Sequence, residues 1–274
     1  MLKQRVITAL ILGVVIILAI FSLPDWAWGV LIAAVTLLAV REWCALVKIG
    51  KAGQVGLVLL STLPILYCAV LPREAIPDLP FLLGALYLIS GSFWFLSVPT
   101  FLYFRIEPVG WYWRYFAVIL MMLSSGLAML ELRRADPLLM LAAVLVVCAA
   151  DISAFFAGRR FGKHKLAPEI SPGKTWEGVA GAVLGVSLFC ALVWIGSPAI
   201  QGLLGLHWVL LFALVSVGLC VVGDLYESML KREAGIKDSG KLLPGHGGVL
   251  DRIDAMLAFM PFAGFVLLAF QMLG

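Results

Sequence analysis

The 27 residues from Ser228 to Asp254, SMLKREAGIKDSGKLLPGHGGVLDRID, hold five Lys/Arg, four Asp/Glu, one His and five Gly, in a chain that is only 13% charged and 63% hydrophobic. Cations, backbone donors and carboxylates crowded into one loop suit a polyphosphate with its metal, because N–H groups and basic side chains take phosphate oxygens while carboxylates take the ion. The glycines of Pro244-Gly245-His246-Gly247-Gly248 permit positive φ and close backbone approach, so successive N–H groups can form an anion-binding nest before the next helix begins. Asp251 and Asp254 follow at i, i+3 on one face of that helix. Upstream, Asp224 and Glu227 repeat the spacing, with Ser228 one position on, so all three can face one polar pocket. Asp224 and Asp251 flank the same loop on consecutive helices and can converge at its base on Mg²⁺ shared with substrate phosphates. Asp151, at the corresponding depth of another apolar segment, is a third candidate ligand, and a second cation is left open. Of the three histidines, His246 alone is placed to donate to phosphate, whereas His164 and His207 are assigned to the surface. Glu42, beside Arg41 and near Lys48, is assigned to an ion pair.

A second stretch, Ser171-Pro172-Gly173-Lys174-Thr175, sets two hydroxyls around a lysine on a Pro-Gly turn that leads into a helix starting near Trp176. That pattern predicts a phosphate cradle at a helix N-terminus. It is not a Walker A loop, since GxxxxGK[ST] does not occur. The surrounding loop, Gly158 to Glu177, carries five Lys/Arg against two acids, an excess that by itself only orients the chain and attracts anionic headgroups.

The elements that must position these groups are membrane helices. Mean hydropathy is +1.07, and apolar runs of about twenty residues recur along the 274 residues, which excludes a soluble core. Nine spans are expected: Val6 to Phe21, Trp26 to Val47, Val55 to Leu71, Leu79 to Val98, Trp111 to Leu130, Leu138 to Ala157, Val179 to Ile195, Leu206 to Leu230 and Ile253 to Leu273. The fold class is therefore all-α, a polytopic bundle forming one integral membrane domain over 1–274. Within it, 1–140 supplies N-terminal helices and 141–274 the helices and loops that carry the site. Seventeen Lys/Arg fall on the side holding both basic loops and three on the other, so the N-terminus and the site are expected in the cytoplasm, with the chain in the cell's inner membrane. Trp26, Trp28, Trp111 and Trp113 fall at span ends and are assigned as interfacial anchors. Five cysteines lie in apolar runs with no CxxC and no Cys/His cluster, so neither a disulfide framework nor a zinc site is indicated. Gly181 and Gly185 form a GxxxG that could pack a neighbouring helix or a second copy in a homodimer.

Charged groups gathered at one face favour a lipid-modifying nucleotidyltransferase over a transporter, which would set acids near the bilayer midplane with access from both sides. Nothing calls for nucleic acid. Ser228-x-x-Lys231-Arg232, Lys237-Asp238 and His246-Gly247-Gly248-x-x-Asp251-Arg252-x-Asp254 resemble the signature of the phosphatidate cytidylyltransferases, or CDP-diacylglycerol synthases. Ser171 to Gly178 resembles the same family's other landmark, departing from it at Gly173, where a second basic residue is common. The dense DGxxAR…GxxxDxxxD pattern of the CDP-alcohol phosphotransferases is absent. What the resemblance implies is transfer of CMP from CTP to phosphatidic acid in the membrane lipid. It further implies Mg²⁺ on Asp224 and Asp251, phosphates surrounded by Lys231, Arg232, Lys237, His246 and Arg252, and a site completed by Ser171, Lys174 and Thr175. Asp238 and Asp254 join the catalytic set on this resemblance, and Glu177, Glu227, Ser228, Gly247 and Gly248 the substrate-binding set.

Overall fold

A computed structural model describes residues 2–105, 110–240, 242 and 247–273. Eleven α-helices and one two-stranded hairpin make up the described chain. In order they are α1 (Leu2–Ser22), α2 (Asp25–Leu46), α3 (Lys51–Val70), α4 (Leu79–Ser92), α5 (Val98–Phe104), α6 (Trp111–Ala135), α7 (Pro137–Phe161), β1 (Lys165–Ala167), β2 (Ser171–Thr175), α8 (Trp176–Gly196), α9 (Pro198–Leu203), α10 (Leu206–Glu233) and α11 (Leu250–Leu273). Among the described residues eight helical segments are long and apolar enough to cross a membrane, and Ile11–Ser22 of α1 adds a shorter apolar stretch. The protein is thus an all-α polytopic membrane bundle. One of the eight, Leu79–Phe104, joins α4 to α5 through a π-turn at Phe93–Ser97, so this span runs past its expected end at Val98. The extra residue of that turn seats Phe93 and Trp94 against Tyr226 of α10, with ring centroids 5.8 and 5.9 Å apart.

Lipid tails are as apolar as leucine, so close packing and interhelical hydrogen bonds hold such a bundle together. On α8 the large residues Leu184, Leu188 and Leu192 point outward, while the small ones face α7. A side chain at Gly181 would run into Ala157, and one at Gly185 into Ser153. The GxxxG face is therefore occupied by α7 of the same chain. Ser90 and Ser124 hydrogen-bond at 3.0 Å in the interior, and Ser125 donates to the Leu257 carbonyl at 2.9 Å, each contributing about 0.6 kcal/mol.

The two ends of the bundle differ in chemistry. At one, Arg133 and Arg134 of α6 cap the C-termini of neighbouring helices. Arg133 donates to the Ile20 carbonyl at 2.9 Å and also to that of Leu23, and pairs with Asp25 at 2.6 Å. Arg134 donates to the Cys68 carbonyl at 2.6 Å. Orphan helix carbonyls are satisfied there by fixed cations. Trp28 belongs to the same lock, donating to the Met129 carbonyl at 3.3 Å beneath the Arg133 guanidinium. At the other end Trp113 packs against Phe93 and Phe101. Trp28 is an interior residue and not the interfacial anchor that its span-end position predicts, whereas Trp113 is half-buried and Trp26 exposed.

Candidate active site

The second end of the bundle gathers the C-termini of α7 and α10, the N-termini of α8 and α11, and the hairpin. α10 continues past Leu230 to Glu233, so Lys231 and Arg232 are helical rather than in a loop. Asp224, Glu227, Ser228 and Lys231 then stand at i, i+3, i+4 and i+7, one continuous stripe. Ser228 Oγ donates to Asp224 Oδ1 at 3.2 Å. Lys231 Nζ lies 2.6 Å from Glu227 Oε2 and 2.7 Å from Asp251 Oδ1, and these three side chains are only 13%, 3% and 6% exposed. A buried ammonium between two carboxylates ties α10 to the start of α11. The other Glu227 oxygen, Oε1, is buried without a hydrogen-bond partner among the described residues.

Asp251 also organises the loop that precedes it. Its Oδ2 accepts from Gly248 N at 2.8 Å and from Ser239 N at 2.9 Å. The first contact is a helix-capping bond three residues back along the chain. Gly247 has φ +84 and sits against Asp251 and Asp238, a conformation that an L side chain adopts only with strain. The next two amides go elsewhere. Val249 N and Leu250 N donate to Glu42 Oε1 and Oε2 at 3.1 and 2.8 Å, and Ser239 Oγ donates to Oε2 at 3.0 Å. Glu42 of α2 thus caps α11 from outside, which corrects its assignment to a pair with Arg41 or Lys48. An intramembrane acid marks it in the sequence, but its partners lie some two hundred residues away.

The hairpin β1–β2 is antiparallel, with Lys165 opposite Thr175. Ser171 to Thr175 is a strand, not the turn expected, and it aims Lys174 across the site. Lys174 Nζ lies 2.5 Å from Asp224 Oδ2, and Arg232 Nε donates to the Ile170 carbonyl at 3.2 Å, so the hairpin is docked on α10 at two points. Thr175 is the N-cap of α8, its Oγ1 accepting from Gly178 N at 3.1 Å. Glu177 is engaged on the far side of the hairpin, where it accepts from His164 N at 3.2 Å and lies 2.6 Å from His164 Nδ1; it closes the basic loop. Ser171 is half-buried at the head of β2, while Lys237, Asp238 and Arg252 are exposed around the opening. His246 lies outside the described residues.

Asp254 continues the face begun by Asp251. Asp224, Glu227 and Asp151 are its Coulombic neighbours, and Asp151 in turn lies within the field of Asp224, Lys174 and Arg252. Three helices therefore bring Asp151, Asp224 and Asp254 into one electrostatic neighbourhood with two cations. All the donors are hard oxygens, the kind that Mg²⁺ takes. Among the described residues no group of three or more His, Cys, Asp or Glu side chains is placed to hold a metal ion by itself. Each of two carboxylates instead holds a lysine ammonium, and Asp224 and Asp251 each keep unused acceptor capacity beside the orphan Glu227 oxygen. This donor set fits an open site whose ion shares its coordination with phosphate.

The geometry, then, is a polyphosphate-type site at one end of a membrane bundle, and the sequence profile of the Cytidylyltransferase family matches residues 3–270. The chain belongs to that family. A phosphatidate cytidylyltransferase of Pseudomonas aeruginosa is 41% identical over 267 residues, covering 95% of each chain. Those of Haemophilus influenzae and Bacillus subtilis are 33% and 32% identical, covering 96% and 98% of this chain. The similarity runs through the N-terminal helices as well as through the motif-bearing ones.

Proposed function

We propose that the protein is a phosphatidate cytidylyltransferase, which transfers CMP from CTP to phosphatidic acid and releases pyrophosphate and CDP-diacylglycerol. A phosphate oxygen of the lipid attacks the α-phosphorus in line, the new P–O bond forms as the bond to the pyrophosphate oxygen breaks, and no covalent intermediate on the chain is needed. Phosphatidate is already ionised, so the protein's work is positioning two anions and neutralising their charge. Lys174 from β2, Lys231 and Arg232 from α10, Lys237 from the segment that follows and Arg252 from α11 supply that charge, and His246 belongs to the same group. Asp224 and Asp251, with Asp151 as a further candidate, would hold Mg²⁺, which would add neutralisation of the triphosphate.

The observation that carries this reading is the pairing of two lysines with two aspartates. Lys174 rests on Asp224 and Lys231 on Asp251, so each cation is held where an incoming phosphate and its ion can exchange partners with it. Seventeen basic residues on this side against three on the other support an active site facing the cytoplasm, in the inner membrane. Acyl chains then stay in the bilayer while the headgroup enters from the membrane plane. Purified protein in mixed lipid–detergent micelles, given labelled CTP, phosphatidate and Mg²⁺, is expected to yield labelled CDP-diacylglycerol. Label that never enters the lipid fraction would overturn the proposal.

A further inference from the structure

Glu42 stands apart from every motif in the second half of the chain, yet it is the sole carboxylate of the first half that touches the site loop among the described residues. It accepts three hydrogen bonds of 2.8 to 3.1 Å, from Val249 N, Leu250 N and Ser239 Oγ. These donors bracket the loop, one side at 239 and the other at 249–250. Side chains at Gly240 or Gly248 would strike the Glu42 carboxylate, so the backbone at both of these positions comes close against it. Asp251 is fixed by the same loop from the opposite direction, through Ser239 N and Gly248 N. Two carboxylates from different halves of the chain therefore divide between them the three consecutive amides of Gly248, Val249 and Leu250 and the two donors of Ser239, and a negative charge at the N-terminus of α11 is held there by the free N–H groups and their dipoles. Among the described residues Glu42 pairs with none of the site's lysines or arginines; its contacts there are with Ser239, Val249 and Leu250.

We infer that Glu42 is a positioning residue for the transferase reaction: α2 holds Ser239 and the Val249–Leu250 start of α11 so that Asp251, Arg252 and Asp254 enter the site in register. This rests on the transferase reading, and it gives the N-terminal helices a part in the chemistry that no motif of theirs announces. Lys174 and Arg232, which draw the anions in, are carried by β2 and α10 and not by the loop. Loss of Glu42 should therefore lower kcat more than it raises KM.

The test compares Glu42→Gln, which keeps the shape but loses the charge and one acceptor, with Glu42→Ala and with Ser239→Ala in the full chain. Amide hydrogen exchange and steady-state kinetics are read on the same samples. The expectation is exchange at Val249 and Leu250 faster by about tenfold in Glu42→Ala, with protection along α2 and the rest of α11 retained. Turnover should fall by about tenfold in Glu42→Gln and further in Glu42→Ala, with KM for CTP changed by less than about threefold. Ser239→Ala should move both readouts in the same direction by less. Unchanged exchange at the two amides, or faster exchange with normal kcat, would overturn the inference. So would general loss of protection in all three variants, which would make Glu42 a folding residue only. Absence of turnover in the unsubstituted protein would instead count against the transferase reading, while the exchange arm would still decide whether Glu42 holds the loop.

Discussion

Replacing Lys231 with methionine separates what the lysine does for folding from what it does for transfer. Lys231 is 13% exposed and lies between Glu227, at 3%, and Asp251, at 6%. The substitution leaves two buried carboxylates facing one another without a counter-charge, and breaking a buried pair in this way costs about 3–5 kcal/mol. Part of that cost is escapable, because Glu227→Gln in the same chain removes one of the two stranded charges. Thermal unfolding in detergent should therefore show Lys231→Met clearly destabilised and the Glu227→Gln/Lys231→Met pair recovering a large part of the loss. Turnover should behave differently. The ammonium that neutralises phosphate is missing from both proteins, so both should remain lower than the unsubstituted chain by on the order of 10²-fold. A Lys231→Met protein as stable as its parent, or a double variant that regains activity along with stability, would refute the reasoning.

Asp224 is 32% exposed at its side chain, so Asp224→Asn should leave a folded protein while turnover falls by on the order of 10²-fold, checked by kinetics beside size-exclusion elution. Lys174→Ala should depress activity severely and resist rescue by added anionic lipid, whereas Lys163→Ala, outside both motifs, should act as one surface charge worth about 1 kcal/mol; titrating anionic lipid into both variants distinguishes the two. A reporter fused after Gly274 is expected outside the cytoplasm and one inserted between Gly158 and Pro168 inside it, by accessibility labelling in whole cells.

The bundle was legible because twenty-residue apolar runs have few other uses, and the charge asymmetry between loops is large. Asp224, Glu227 and Ser228 were legible for a related reason, since helical spacing alone sets them on one face; Lys231 joins that stripe only because α10 runs on past Leu230 to Glu233. Three features were hidden by their physics. β1 and β2 are short and polar, without the alternation that betrays a strand, and only the contacts of Lys174 and of the Ile170 carbonyl with Asp224 and Arg232 of α10 explain them. The π-turn at Phe93–Ser97 follows from aromatic packing against Tyr226, and no proline or glycine marks it at its centre. Glu42 looked like half of a local ion pair because sequence neighbours were the only partners in view. Its actual partners are the Ser239 hydroxyl and two backbone amides at the start of α11, and backbone donors leave no trace in residue type. Thr175 and Glu177 show the converse case, in which a motif groups residues that the fold then divides: one caps α8, and the other holds His164.

The central claim is nucleotidyl transfer onto a lipid phosphate, and the position of the label tests it most directly. Purified protein with phosphatidate and Mg²⁺ should carry label from CTP into chloroform-soluble lipid when the α-phosphate is labelled. When the γ-phosphate is labelled, all of it should leave as pyrophosphate. Label from the γ-phosphate in the lipid, or from neither position, would contradict the account.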